Sequence, residues 1–252
     1  MDAISVAQRN GTQFQGLSVE DFQAAVSSEV SDRDVICYGS SLGAYAALYF
    51  GGSINARIIA ASPFFPAWPP LKIKAYSDVE VRHRELTDVP QSSQRPTIIY
   101  DPMRHQDSRM VDLMVSPAYP NARILKLPYA GHTTLVTLSA ARCLTPLIDG
   151  LVFRNELIDV TLPTEDSAIW HAEKGKSQII KDPVRAEYHL ERSLELSPAR
   201  HTVAMLLNLH IRAGNLLKAQ TIIDRTNLTE NPRYKLIPSA KEAALKAGLC
   251  LG

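Results

Sequence analysis

The sequence predicts an α/β protein: a mostly parallel sheet of about five strands flanked by helices, followed by a small all-helical region of hairpins. Short apolar runs recur through roughly the first 150 residues. They are continuous rather than alternating, as in strands buried on both faces of a parallel sheet. Helix-like segments separate most of these runs, and that order favours parallel pairing with helices on both faces. Beyond residue 165 the pattern is helical, so we expect one unit over residues 1–160 and a second over residues 165–252.

The elements of the first unit follow from local signals. The candidate strands are, in chain order, Ala3–Ala7, Asp34–Tyr38, Ala56–Ala60, Thr97–Asp101 and Arg123–Leu127. A helix is predicted after Ser18, because serine is a favourable N-cap and Asp21 follows three residues later, as in a capping box. A second helix is predicted after Ser41, and the glycine pair Gly51-Gly52 is expected to end it. The proline-rich stretch Ser62–Val89 is too long for a simple connection and predicts an excursion over the carboxyl edge of the sheet.

The second unit contains a weak internal repeat. Two helices are predicted, over Thr202–Ala213 and Leu216–Thr226, with Gly214 turning the chain between them. Three positions recur at an offset of 33 residues: Ala186, Leu190 and Pro198 align with Ala219, Ile223 and Asn231. Small residues at a helix crossing with this period resemble the tetratricopeptide pattern. We expect helical hairpins that bind a protein partner, pack against the sheet unit or build a dimer.

Composition and charge exclude several classes of protein. Hydrophobic residues make up 45% and charged residues 21% of the 252 residues, which excludes disordered and fibrous chains. The net charge of +1 argues against a dedicated nucleic-acid binder. The sequence contains no long apolar span and no secretory signal, and its three separated cysteines suit a reducing compartment. We therefore expect a cytoplasmic protein with no membrane span and no metal site.

The strongest chemical signal is a G-x-S-x-G motif at Gly39–Gly43, directly after a predicted strand and before a predicted helix. A sharp strand-to-helix turn would expose the hydroxyl of Ser41 above the sheet. The N–H of Leu42 would point at a developing oxyanion, helped by the helix dipole. Gly39 and Gly43 are expected to be glycine because a Cβ at either position would collide with neighbouring backbone. The alternative interpretation is an ordinary glycine- and serine-rich turn. The phosphate-binding motifs G-x-G-x-x-G and G-x-x-x-x-G-K-[ST] do not occur.

A serine hydroxyl needs a base at neutral pH, and His132 is the best-placed candidate. It follows the last predicted strand after a short loop, beside Gly131, which brings it to the same edge of the sheet as Ser41. His105 is the reserve candidate. The third residue should orient the imidazole and stabilise its cation. We favour Asp107, in the segment after the strand Thr97–Asp101, although helix capping is an alternative role for it. Asp101 remains the other candidate, or a turn residue before proline.

The order Ser41, Asp107, His132, the serine elbow and the final strand followed by Gly-His resemble the α/β-hydrolase family over about residues 1–150. The stretch that begins at Tyr38 is also similar to hydrolase-like proteins of bacterial surface-polysaccharide and accessory-secretion clusters. The resemblance implies a second oxyanion donor from an early loop, here a backbone N–H of Asn10 or Gly11. Family members have several strands before the elbow strand, whereas 33 residues precede it here. We expect either a reduced sheet or a chain that lacks an N-terminal part.

The function predicted from these residues is that of a serine hydrolase, esterase-like, which forms an acyl-enzyme; an acyltransferase would use the same site. The expected substrate is a small-molecule or glycan ester, and no cofactor is expected. Phe64 and Trp68 could form an apolar wall for the acyl group, or simply pack in the core. The alternative function is a catalytically weak or inactive hydrolase fold that serves as an interaction module through its helical region.

Overall fold

A computed structural model describes residues 2–9 and 11–251 of the chain. The chain divides into two compact units, Met1–Leu162 and Pro163–Gly252. The first combines a parallel sheet with helices, which confirms the predicted α/β class. The second consists of helices joined by short turns.

The sheet of the first unit has four strands in the order β1-β2-β3-β4, and all three pairings are parallel. The strands are β1 (Ile36–Ser40), β2 (Arg57–Ala61), β3 (Thr97–Tyr100) and β4 (Arg123–Lys126). Because all four strands are parallel, their carboxyl ends lie at the same end of the sheet. The segment that follows each strand starts there. Four of the five predicted strands are thus present, each within two residues of its predicted bounds.

The predicted strand Ala3–Ala7 is wrong, because residues 2–9 adopt no regular secondary structure. Its two β-branched side chains are exposed, Ile4 by 54% and Val6 by 42%. A run this short forms a strand only when a neighbour supplies hydrogen-bond partners and a buried face. In the described part of the chain the sheet has four strands rather than about five.

Helices cover both faces of the sheet. They are α1 (Val19–Val30), α2 (Leu42–Gly51), α3 (His105–Met110), α4 (Ser116–Ala118), α5 (Thr134–Ala140) and α6 (Leu144–Asp149). The predicted cap of α1 is confirmed, since Ser18 Oγ accepts a hydrogen bond of 3.0 Å from the Asp21 N–H. Helices α3 and α6 each continue into a π-helical turn, Val111–Val115 and Gly150–Arg154.

The two central strands, β2 and β3, bury their side chains in two separate apolar clusters, one on each face of the sheet. Ile58 and Ala60 of β2 join the cluster built with α1 and α2. The alternate residues Ile59 and Ala61 join the cluster built with α5 and α6. This two-sided burial explains why the sequences of β2 and β3 are continuously apolar.

The segment between β2 and β3 is an irregular excursion, as predicted, with short 3₁₀ turns at Pro69–Leu71, Lys74–Tyr76 and Leu86–Asp88. Two buried glutamines of the N-terminal segment hold it in place. Gln13 Oε1 accepts from the Ala67 N–H at 2.9 Å, and Gln15 Oε1 accepts from the His83 N–H at 3.0 Å. Burial lowers the pKa of His83. Its neutral ring accepts from the Tyr45 hydroxyl through Nδ1 (2.7 Å), and its Nε2–H donates to a backbone carbonyl (3.0 Å).

The second unit contains α7 (Ala168–Gln178), α8 (Pro183–Leu196), α9 (Arg200–Arg212), α10 (Leu216–Leu228) and α11 (Pro238–Lys246). Four of the repeat positions, Ala186, Leu190, Ala219 and Ile223, are fully buried in its core. The offset of 33 residues in the sequence therefore relates equivalent core positions of α8 and α10.

Within the described residues, no single helix is both long and apolar enough to cross a membrane. That length and apolar character are reached only by two helices taken together, Thr134–Ala140 and Leu144–Arg154. The chain bends by 116° between them.

Candidate active site

The candidate site is built around the turn between β1 and α2, where Ser41 adopts a backbone conformation that serine rarely takes. Its φ is 54° and its ψ is −121°, outside the regions that suit residues with a Cβ. Surrounding backbone holds this turn: the Ser41 N–H donates to the Ala61 carbonyl at 2.9 Å, and the Ser41 carbonyl accepts from the Phe64 N–H at 3.1 Å. Strain of this kind persists only where neighbouring structure enforces it.

The two glycines of the motif have different roles. A Cβ at Gly39 would lie 2.2 Å from the Gly43 carbonyl oxygen and 2.7 Å from the Ala44 nitrogen, so only glycine fits there. A Cβ at Gly43 would meet no atom within 4 Å. The prediction of a collision is therefore confirmed for Gly39 and wrong for Gly43. The carbonyl group of Gly43 lies against Gly39, whereas the place that a Cβ of Gly43 would occupy is open space.

The structure brings Ser41, His132 and Asp107 together. Ser41 Oγ lies 2.8 Å from His132 Nε2, and His132 Nδ1 lies 3.1 Å from each carboxylate oxygen of Asp107. Since an ionised carboxylate only accepts hydrogen bonds, Nδ1 carries the proton and Nε2 is free to accept from the serine hydroxyl. Asp107 is fully buried, whereas the His132 side chain is 24% exposed. The imidazole is thus accessible from solvent, whereas the carboxylate of Asp107 is shielded from water.

Asp107 lies in the first turn of α3 and does not cap it; the N-cap position belongs to Arg104. The Arg104 Nε is 3.6 Å from an Asp107 carboxylate oxygen. We did not predict this neighbour, although its place three residues before Asp107 in a helix would bring the two side chains to one face. His105, the reserve base, is exposed at the start of α3.

The other candidate acid, Asp101, is fully buried at the end of β3, and its hydrogen bonds go to backbone. Its Oδ1 accepts from the N–H groups of Met103 (2.8 Å) and Tyr129 (3.0 Å), and its Oδ2 accepts from Gly131 (2.9 Å). Asp107, not Asp101, faces the imidazole.

The predicted oxyanion donors are only partly described. Leu42 is the first residue of α2, and its N–H donates to no acceptor among residues 2–9 and 11–251. This N–H and the positive end of α2 are available to an anion beside Ser41. Asn10 lies outside the described residues. Gly11 is exposed and has a φ of +79°.

The two aromatic residues predicted to contact substrate have different surroundings. Phe64 is partly exposed, and its ring packs edge-on against the imidazole of His132 with the centroids 5.1 Å apart. Trp68 is only 5% exposed and belongs to the core cluster with Phe65. Phe64 is thus placed to contact a bound ligand, whereas Trp68 occupies a packing position.

A separate concave surface lies in the helical unit, with a volume of about 720 Å³. Its walls come from α8, α9 and α10. Ion pairs cross it, Lys218 to Glu187 at 2.7 Å and Arg225 to Glu191 at 3.2 Å. Among the described residues, no group of three His, Cys, Asp or Glu side chains is arranged to hold a metal ion.

Comparisons of the chain with protein-family models, with curated proteins and with solved structures found no match. The arrangement of Ser41, His132 and Asp107 is therefore the main indication of what this chain does.

Proposed function

We propose that the protein is a serine hydrolase that cleaves an ester or related acyl bond, and that its first unit belongs to the α/β-hydrolase family. One observation carries the proposal: a strained serine at a strand-to-helix turn hydrogen bonds to a histidine whose other nitrogen faces a buried carboxylate. A glycine- and serine-rich turn with no chemistry would not need either partner. This constellation activates serine on several unrelated folds.

The proposed reaction begins when Ser41 Oγ attacks the substrate carbonyl carbon and its proton passes to His132 Nε2. Asp107 stabilises the resulting imidazolium through Nδ1–H. The tetrahedral intermediate then collapses, His132 donates the proton to the leaving alcohol, and an acyl-serine remains. Water, deprotonated by His132, then attacks the acyl-serine. The bond between the acyl carbon and Ser41 Oγ breaks, His132 returns the proton to Oγ, and the acid is released.

The negative charge on the carbonyl oxygen would be stabilised by the Leu42 N–H at the start of α2. Because this donor belongs to the backbone of the elbow itself, it is already oriented before substrate binds, and such preorganisation is a large part of catalysis by acyl-transfer enzymes. A second donor from the Asn10–Gly11 loop is part of the proposal.

The acyl acceptor separates a hydrolase from an acyltransferase. The partly exposed His132 can reach water, which favours hydrolysis, and the exposed part of Phe64 offers an apolar contact for the acyl or alcohol group. We propose a small-molecule or glycan ester as the substrate class.

A panel of p-nitrophenyl esters of increasing acyl length tests this proposal. We expect nitrophenol release by the parent protein and none above background by Ser41→Ala. Adding an alcohol acceptor would distinguish transfer from hydrolysis through the product formed. Equal rates for the parent and Ser41→Ala would contradict the proposal.

A second candidate function is that of an interaction module with little or no catalysis. The observation that favours it is the concave surface of the helical unit, whose walls carry both acidic and basic side chains, as in a peptide-binding groove of tetratricopeptide-like repeats. A well-folded parent protein that hydrolyses no ester would favour this candidate.

A further inference from the structure

Residues 127–133, the histidine loop, bring His132 from one side of the sheet to a serine on the other. Strands β1 and β4 lie at opposite edges of the sheet, three strand spacings or about 14 Å apart. Ser41 follows β1 and His132 follows β4, yet their side chains hydrogen bond at 2.8 Å. Residues 127–133 must therefore cross the carboxyl ends of the two strands between them.

Hydrogen bonds at those two strand ends hold the loop along its course. At the end of β3, Asp101 accepts from the N–H groups of Tyr129 and Gly131. At the end of β2, Ser62 Oγ lies 3.0 Å from Thr134 Oγ1, and both residues are fully buried. His132 lies between these two attachments, so its backbone is fixed on both sides.

Asp101 is the stronger of the two attachments. Hydrogen bonds to a carboxylate are about twice as strong as those between neutral groups, and Asp101 accepts three of them while fully buried. Tyr129 and Gly131 have φ values of 61° and 76°, which turn their N–H groups toward the same carboxylate. Tyr129 is not glycine, so its conformation needs support from its surroundings.

The same carboxylate also holds the turn that precedes Asp107, the acid that faces the imidazole. Asp101 Oδ1 accepts from the Met103 N–H at 2.8 Å, in the turn that leads into α3. That turn sets the place of Asp107, four residues further on. One buried side chain thus connects the loop that carries His132 with the turn that precedes Asp107, and its hydrogen bonds go to backbone N–H groups rather than to the imidazole.

We propose that Asp101 is a positioning residue, which orients the imidazole of His132 toward Ser41 and Asp107 by holding the N–H groups of Met103, Tyr129 and Gly131. The catalytic consequence rests on the proposed hydrolase function; the effect on the imidazole does not. Only the carboxylate can accept from all three donors. In Asp101→Asn the amide oxygen can replace Oδ1, but the amide NH₂ would face the Gly131 N–H, which leaves two donors opposed.

The test compares the parent with Asp101→Asn and with a matched control, Asp112→Asn, at an exposed position of the same segment. Two quantities are measured on each: the NMR titration of the His132 Cε1–H, assigned by its loss in His132→Gln, and the rate constant of fluorophosphonate labelling as a function of pH. We expect Asp101→Asn to shift the His132 titration and to slow labelling by about 10–100-fold, as for other residues that orient a ligating or catalytic histidine. We expect Asp112→Asn to match the parent in both.

An unchanged His132 titration together with labelling within about twofold of the parent would overturn the proposal, since that difference is too small for a displaced base. If the parent is not labelled, the hydrolase proposal fails, and the titration alone decides the role of Asp101. If Asp101→Asn does not fold, deuterium exchange of the parent decides. The Tyr129 and Gly131 amides should exchange at least about 100-fold more slowly than free amides, and exchange at the free rate would overturn the proposal.

Discussion

The backbone of Gly39 lies directly against the carbonyl group of Gly43, so that a methyl group at Gly39 would be 2.2 Å from the Gly43 oxygen. This close approach allows the chain to leave β1, turn at Ser41 and enter α2 within a few residues. The hydroxyl of Ser41 is raised toward His132 as a result. The geometry of the elbow therefore depends on one glycine more than on the other.

The first prediction concerns the free energy of unfolding when alanine replaces either of the two glycines. We expect Gly39→Ala to lower the free energy of unfolding by about 3 kcal/mol, because the added methyl group meets backbone that cannot move aside. We expect Gly43→Ala to leave it unchanged or to raise it by about 0.5–1 kcal/mol, because alanine is the better residue in a helix. Urea unfolding at one pH measures both. Equal losses in the two variants would contradict this account of the elbow.

The second prediction concerns the orienting acid. Asp107→Asn should keep the fold but reduce kcat by about 10⁴-fold, because an amide can accept only through its oxygen and no longer stabilises the imidazolium. Asp112→Asn is the matched control and should retain activity. The measurement is the rate of ester hydrolysis under saturating substrate. A loss of less than about tenfold in Asp107→Asn would show that the carboxylate does not act on His132.

The third prediction separates the two candidate bases. His132→Gln should abolish ester hydrolysis, whereas His105→Gln should not affect it, since His105 is exposed at the start of α3. Activity that survives in His132→Gln and is lost in His105→Gln would reverse the assignment. Circular dichroism of both variants provides the check that each is folded.

The fourth prediction concerns the stability of the helical unit at mildly acidic pH. Burial lowers the pKa of His189 and of His210 below the ordinary value of 6.5, and the neighbouring His171 lowers that of His189 further. Between the folded and unfolded pKa values the unfolded chain binds more protons, so stability falls as the pH falls below 6.5. Urea unfolding at pH 7.0 and 5.5 should show a loss in the parent that is smaller in His189→Gln. A loss of the same size in both would contradict the role of His189.

The regular part of the fold could be predicted from the sequence because its signals are local. The four apolar runs and the Ser18 cap depend on neighbouring residues only. The predicted bounds of the four strands lie within two residues of the observed ones. Ala3–Ala7 is a similarly short apolar run, but it pairs with no strand among residues 2–9 and 11–251, and pairing is a property of the tertiary structure. A run of apolar residues in the sequence does not show whether the fold supplies a strand for it to pair with.

The site could be predicted to the level of its residues but not of its supports. The motif identified Ser41, and chain order brought His132 and Asp107 to the same edge of the sheet. The sequence favours Asp107 and leaves Asp101 as the other candidate, because both acids follow β3. The structure separates their roles through the course of the histidine loop: Asp101 accepts from its backbone, and Asp107 faces the imidazole. The sequence likewise does not show that a Cβ at Gly43 would meet open space, because this depends on the orientation of the backbone at that residue.

The most direct test of the central proposal is intact mass spectrometry after treatment with a fluorophosphonate. We expect one adduct on the parent protein, formed as the serine oxygen displaces fluoride from phosphorus, and peptide mapping should locate it at Ser41. Ser40→Ala, at the exposed neighbouring serine, should be labelled as the parent is, and Ser41→Ala should not be labelled. An unlabelled, folded parent, or an adduct that persists in Ser41→Ala, would contradict the assignment of Ser41 as an activated nucleophile.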